Sequence, residues 1–209
     1  MANYYIADLH LGHANVIRFD QRPFADIDAM YETIARNWNA AVREQDTVYI
    51  LGDFIWGKES EWPAMLSAFS GNKVLIRGNH DPREMNSRTK AFFQDIQVYK
   101  EIMDGNRHVI LSHYPIPFYK HDFSENYIML YGHVHMTREY TILRELRKQI
   151  KMHQGKDGVP LGNFINVGCM MPWMNYTPRT LDEIITGDVL ASDWNNSRPE
   201  QKPNDPTAS

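Results

Sequence analysis

The chain has 209 residues, 43% of them hydrophobic, with a formal charge of −4 and an isoelectric point near 6.1. That length and apolar content suit one domain with a substantial core, while the acidic balance argues against a general binder of extended nucleic acid. One cysteine excludes an internal disulfide, no apolar run is long enough to span a bilayer, and the N-terminus enters a strand without a signal peptide, so a cytoplasmic protein with no membrane association is expected.

A first apolar strand, Tyr4–Ala7, runs into Asp8-Leu9-His10, and His13 follows just after Gly12. Ile27, Met30, Tyr31, Ile34, Trp38 and Val42 then recur at a helical period, which predicts a helix over Ile27–Val42 started by Asp26 or Asp28. A second strand, Val48–Leu51, ends in Gly52-Asp53, and Trp62–Phe69 supplies a shorter helix. A third strand, Val74–Arg77, ends in Gly78-Asn79-His80-Asp81, and a helix with Phe92 and Phe93 turned inward is expected after Asp81-Pro82. Gln97–Met103 and Arg107–Leu111 flank Asp104-Gly105-Asn106, a hairpin signal that introduces antiparallel strands. Val109–Ser112 leads to His113, and Ile128–Tyr131 leads to Gly132-His133-Val134-His135.

From Met136 to Met152, an apolar stripe of Met136, Tyr140, Leu143, Leu146 and Ile150 is set against the cations Arg138, Arg144, Arg147, Lys148 and Lys151. An ordinary amphipathic helix is the favoured reading; a basic flap that selects an anionic substrate, or an oligomer interface, is the alternative. Gly155–Gly158 ends this helix, Phe164–Val167 resumes the sheet, and Cys169-Met170-Met171-Pro172 is apolar enough to be buried. Residues 1–194 form the single expected domain, and 195–209, rich in Asn, Pro and Ser, a disordered tail.

Each acid-and-imidazole cluster thus follows a strand, and ligands in open α/β sheets bind beyond the carboxyl ends of strands, so the clusters can form one rim. Residues two apart on an extended segment share a side, which pairs Asp8 with His10 and His133 with His135. Gly52, Gly78 and Gly132 stand where the backbone turns close to whatever is bound. The candidate ligands Asp8, His10, Asp53, Asn79, His113, His133 and His135 mix imidazole with oxygen and contain no thiolate, which suits Mn, Fe, Zn, Co or Ni. They are too many for one tetrahedral zinc, whereas two ions sharing a carboxylate use them all.

The order Asp-x-His, Gly-Asp, Gly-Asn-His-Asp, His, Gly-His-x-His resembles the calcineurin-like metallophosphoesterase superfamily, in a small form without a cap domain. The resemblance covers about Asp8 to His135 and extends to Asn166-Val167-Gly168, which resembles the strand that closes the family's site. It implies an α/β fold, a layered α/β/β/α sandwich with two mixed β-sheets, and strand–helix alternation followed by hairpins fits that layering. It implies that Asp8, His10 and His135 bind a first divalent transition metal ion, that Asn79, His113 and His133 bind a second, and that Asp53 bridges them; Mn is the expected metal. Two such ions bring roughly four positive charges against the two carboxylates, leaving a site that favours an anion such as a phosphoryl group.

The implied reaction is hydrolysis of a phosphate ester by in-line attack of metal-bound hydroxide. His80 then faces the leaving-group oxygen as general acid, and Asp81 holds its tautomer through the other ring nitrogen. A phosphodiester of cyclic or small nucleotide type is favoured; a phosphomonoesterase acting on proteins or nucleotides, a small nuclease, and a non-enzymatic metal-binding scaffold are the alternatives. His13 is a second-tier candidate for contact with phosphate or for orienting a ligand, with a helix-start or surface role equally open. His108, His121 and His153 are read as surface or core histidines, and Arg77 as an outward strand residue. Phe54, Trp56, Tyr114, Trp173 and Tyr176 lie near enough to the rim to stack on a nucleobase or aryl group, with core packing favoured for each. The expected partner is a small phosphorylated substrate; its identity, the metal and the oligomeric state stay open.

Overall fold

In the computed structural model, residues 1–152 and 163–196 are described, the last seven by backbone alone. Strands β1 (Asn3–Ile6), β2 (Thr47–Ile50), β3 (Asn72–Ile76) and β4 (Asp95–Gln97) form one sheet in that order, parallel throughout, with Ile6 opposite Ile50 and Ile50 opposite Leu75. Its antiparallel element is the isolated bridge between Tyr5 and Arg179. Strands β5 (Tyr99–Asp104), β6 (Arg107–Ser112), β7 (Tyr127–Tyr131) and β8 (Phe164–Asn166) form the second sheet, in which the expected β5–β6 hairpin is antiparallel and the other pairings are parallel. The central strands read as continuous apolar runs because both faces are covered.

Side-chain alternation sorts the second sheet into two interfaces. Val109, Leu111, Ile128, Leu130 and Ile165 join the large core shared with the first sheet, while Ile110, Met129, Tyr131 and Phe164 face the other way and pack with Ile150 of helix α5 (Arg138–Met152). Tyr5 crosses between the sheets, donating from its hydroxyl to Asp104 at 2.7 Å. On the first sheet, helix α2 (Ile27–Ala41) buries Met30, Ile34 and Trp38, one every turn, each worth about 1.5–3 kcal/mol of burial. Asp26 caps α2 by accepting from Ala29 N at 2.8 Å, and the chain turns extended at Val42. The layers are therefore α/β/β/α.

Short elements depart from the expectation. The helix expected over Trp62–Phe69 is the shorter α3 (Trp62–Leu66), preceded by a 3-10 turn (Glu59–Glu61), and the helix after Asp81-Pro82 is the single turn α4 (Ser87–Lys90), capped by Asn86; Phe93 is buried and Phe92 half-buried. Two helices escape the periodicity reading: α1 (Ala14–Phe19), too brief to show a period, and α6 (Leu181–Asn196), which buries Leu181 and Ile184. Met136 stands outside α5 and is exposed, so it leaves the apolar stripe, whereas Leu143, Leu146 and Ile150 pack on the sheet. Arg147 leaves the basic face as well, since it forms a two-pronged pair with Asp188 of α6 at 2.8 and 2.7 Å. Asn195 and Asn196 belong to α6; the rest of the expected tail, the Gly155–Gly158 loop and His153 lie outside the described residues. No described helix is long and apolar enough to cross a membrane.

Candidate metal centre

The carboxyl ends of β1, β2, β3, β6 and β7 deliver the candidate ligands to one place. Asp8, His10, Asp53 and His133 all take positive φ, between 50° and 70°. This left-handed backbone is costly for residues with side chains and is held only where surrounding contacts over-determine it. The glycines serve less as hinges than as room. A Cβ on Gly78 would collide with the Asp53 carboxylate, and one on Gly52 with the His113 ring. The ligands are packed against the backbone of neighbouring turns.

Asp8 is fully buried and accepts from His133 N at 3.0 Å. Its ligand atom, with those of His10 and His135, forms a group whose members all lie within 4.8 Å of one another; Asp8, Asp53 and His113 form a second such group. Asp8 belongs to both groups, and Asp53 reaches from the second toward the first, its Oδ2 lying 3.6 Å from His10 Nε2, 3.6 Å from His113 Nε2 and 3.9 Å from His80 Nε2. His113 Nδ1 lies 2.8 Å from Leu51 O, so donation there leaves Nε2 with a lone pair aimed at Asp53 and at Asn79 Oδ1, 3.0 Å away. His10 Nε2 and His135 Nε2 approach to 3.3 Å. Basic nitrogens and oxygens converging in this way are what a cation satisfies, and the donor set fits a divalent transition metal. His133 lies farther out: its ring packs on His113 and Tyr114, with centroids 5.1 and 4.6 Å away, and belongs to neither tight group.

The electrostatics follow from burial set against neighbouring charge. Burial, aided by His135 and Arg22 and opposed by Asp8, pushes His10 down to about 3, so its ring is in the neutral form that metals bind. Burial would raise Asp8, but the His135 imidazolium 3.8 Å away holds it below the ordinary carboxylate value. Burial, joined by the charges of Asp8 and Asp81, outweighs His113 and raises Asp53. For His135, burial is overcome by hydrogen bonds to Asp20 and Asp8, and the pKa rises to about 9.

That Asp20 contact was not foreseen. Asp20 Oδ1 lies 2.7 Å from His135 Nδ1, which turns Nε2 toward the centre. Arg22 grips Asp20 with Nε and Nη2 at 2.9 and 2.8 Å and also donates to the Leu9 and Asp8 carbonyls, so one buried guanidinium braces the whole β1 turn. Nothing in the spacing of Asp20-Gln21-Arg22 marks these residues; only the fold brings them under His135.

Asp81 requires a correction. Its carboxylate accepts from Asp53 N, Gly78 N and Phe54 N at 2.9, 2.8 and 3.1 Å, and the His80 ring does not bond to it. Three backbone donors in a buried turn outcompete one exposed imidazole, so Asp81 holds the turn, not the His80 tautomer. His80 itself is anchored by its backbone N donating to Asp53 Oδ1 at 2.9 Å, and its side chain is 41% exposed. His13 is the N-cap residue of α1, outside both ligand groups, with its ring stacked on Trp56. Arg77 is engaged with the Arg83 carbonyl. Core packing holds for Phe54 and Tyr176 and partly for Trp173, but not for Trp56 and Tyr114, which are exposed. Cys169 and Met171 are buried as expected, Cys169 donating to Asp8 O at 3.2 Å.

The chain resembles known proteins over most of its length. A family model for calcineurin-like phosphoesterases matches residues 4–157. An uncharacterized protein of Methanocaldococcus jannaschii is 33% identical over 151 residues, which cover 71% of this chain and 79% of that protein. The gene 66 protein of Mycobacterium phage L5 is 31% identical over 131 residues, covering 54% of this chain and 62% of the phage protein. Among solved structures, a protein of unknown function from Aquifex aeolicus superposes with a TM-score of 0.63 at 28% identity, over 88% of this chain and 97% of that one.

Proposed function

Because the chain belongs to the calcineurin-like phosphoesterase family, we propose that it hydrolyses a phosphate ester in a metal-dependent reaction, with a small phosphodiester of nucleotide type as the favoured substrate. The observation that carries this reading is the pair of buried carboxylates, Asp8, which belongs to both ligand groups, and Asp53, whose one oxygen neighbours His10, His113 and His80. Asp8, His10 and His135 would hold one ion, Asn79, His113 and His133 the other, with Asp53 shared. His133 is tied to the centre through its backbone N, which donates to Asp8. Two bound ions, Mn or another first-row metal, would supply positive charge for the phosphoryl oxygens and make a water acidic enough to attack near neutral pH.

In the net reaction a water oxygen joins phosphorus, the bond to the leaving oxygen breaks, and that oxygen takes up a proton. His80 is the residue suited to give it, because its exposed ring borders the ligands without competing for a place among them. Asp81 contributes by fixing the turn from which His80 projects. His80 and His133 are exposed at the edge of the centre, which supports the diester reading by leaving two sides from which substituents on phosphorus could project.

The test compares initial rates on a phosphodiester and a phosphomonoester carrying the same aryl leaving group, using chelator-stripped protein reconstituted with Mn²⁺. Diester turnover that depends on metal and collapses in Asp53→Asn is expected, and His80→Asn should slow esters with poor leaving groups more than those with good ones. Dominant monoester turnover would make the protein a phosphatase, preferential cleavage of single-stranded oligonucleotides a nuclease, and absence of turnover with every first-row metal would sink the enzymatic reading.

A further inference from the structure

We propose that Trp56, backed by His13, is the docking surface for a flat aromatic ring on the substrate's leaving group, a nucleobase or an aryl; this rests on the phosphoesterase reading above and names the substrate side that the ligand set leaves undefined. After the shared Asp53, Phe54 and Ile55 turn into the core, while Trp56 turns out and keeps 39% of its surface exposed. An indole of that size left open beside a buried ionic cluster is surface that folding did not claim.

The platform is fixed in place. Trp56 N donates to Leu11 O at 2.7 Å, Leu11 and Ile55 form a parallel bridge, and Gly12, at φ 87°, passes so near that a Cβ there would sit 2.8 Å from Trp56 O. His13 lies flat on the indole, with centroids 4.2 Å apart and planes 14° from parallel. The backbone and one ring neighbour are therefore set before any ligand arrives, so little ordering cost remains to be met on binding.

The direction comes from His80. Its ring centroid is 4.9 Å from that of Trp56, and His80 is the residue assigned to protonate the departing oxygen. A leaving group handed its proton there has Trp56 as its neighbour. Tyr114, 49% exposed, borders His113 and His133 instead, beside the other ligand group, and is assigned to the substituent that stays on phosphorus. Base-on-aromatic stacking is worth about 10- to 100-fold in affinity.

The experiment uses Mn²⁺-reconstituted protein and two diesters with the same leaving oxygen, one belonging to a nucleoside and the other to the same sugar with hydrogen in place of the base. The wild type should prefer the base-bearing diester by about 10- to 100-fold in kcat/KM, Trp56→Ala should bring the ratio close to one, and Trp56→Phe should restore most of it. A ratio near one in the wild type, a ratio unchanged in Trp56→Ala, or a ratio lost in Tyr114→Ala instead would overturn the assignment. Calorimetric binding of a nucleoside monophosphate, compared with inorganic phosphate, separates the two readings if no ester is hydrolysed. A base-dependent gain that disappears in Trp56→Ala retains the platform while the catalytic reading fails; no such gain removes the platform by itself.

Discussion

The Asp20–His135 contact shows how a site can depend on a residue that no spacing rule marks. His135 must present Nε2 inward, and what orients its ring is a carboxylate 2.7 Å from Nδ1, itself gripped by Arg22. Replacing Asp20 with Asn keeps the shape and an acceptor but removes the charge, so Mn²⁺ affinity should fall by about tenfold, the lower end of what outer partners of metal ligands contribute. Titration calorimetry on the stripped protein measures this, and an unchanged affinity would show that Asp20 only fills space. Gly78→Ala tests the opposite kind of residue. Its added methyl would strike the Asp53 carboxylate and His113, so metal binding should be lost while the circular dichroism spectrum stays native. The convergence of the candidate ligands was legible because each follows the carboxyl end of a strand, but the left-handed backbone of Asp8, His10 and His133 was not, and it separates His133 from the group that takes His135. Asp20, Arg22 and the true bonding of Asp81 were not legible either, since each is decided by groups distant in the chain.

At the scale of elements, most strands and the helices α2 and α5 could be read to within about two residues, because β1, β2, β3 and α2 carry their burial pattern in consecutive side chains; the three-residue β4 and the helix α6 could not. Nor could the short helices, since Asn86 sets α4 through one side-chain bond and α1 has too few turns for a period. Strand entry also depends on single caps of this kind. Asp46, just before β2, accepts from Arg43 N at 3.0 Å and from Ala2 N at 2.8 Å, tying the start of β1 to the start of β2. Those backbone donors hold its carboxyl below the ordinary value. A folded pKa below the unfolded value, about 3.9, means that the contribution is present above that pH and is lost as pH falls through the folded value. The wild type should therefore melt above Asp46→Asn at about pH 6, with the gap closing as the pH falls below the unfolded value. A gap that is constant across this range would show that the cap acts through shape alone.

For the whole molecule, the layered α/β/β/α arrangement was legible through the resemblance carried by the strand-end motifs, which the strand–helix alternation and the hairpin signal at Asp104-Gly105-Asn106 fit, whereas the depth of the sheets' mutual dependence was not. The first sheet supplies Asp8, His10, Asp53, Asn79 and His80, and the second supplies His113, His133 and His135. The centre therefore lies across the seam between sheets that also meet through apolar packing, the Ala7–Gly168 backbone bridge and the Tyr5–Asp104 and Lys100–Asp95 bonds. Ions held by both sides would make separation of the sheets cost their binding free energy as well, so metal occupancy should act on global unfolding and not on a local loop. Free Mn²⁺ at a hundred times its dissociation constant adds about 2.7 kcal/mol, which for a chain of this length raises the melting temperature by roughly 5–10 °C. Scanning calorimetry of stripped and reconstituted protein should show one transition moving upward as a unit. Asp53→Asn, which removes the shared ligand, should lose most of that shift, while Trp56→Ala should keep it because the indole serves the substrate and not the ions. A shift of equal size in Asp53→Asn would place the stabilising ions elsewhere on the protein and break the link between the seam and the centre.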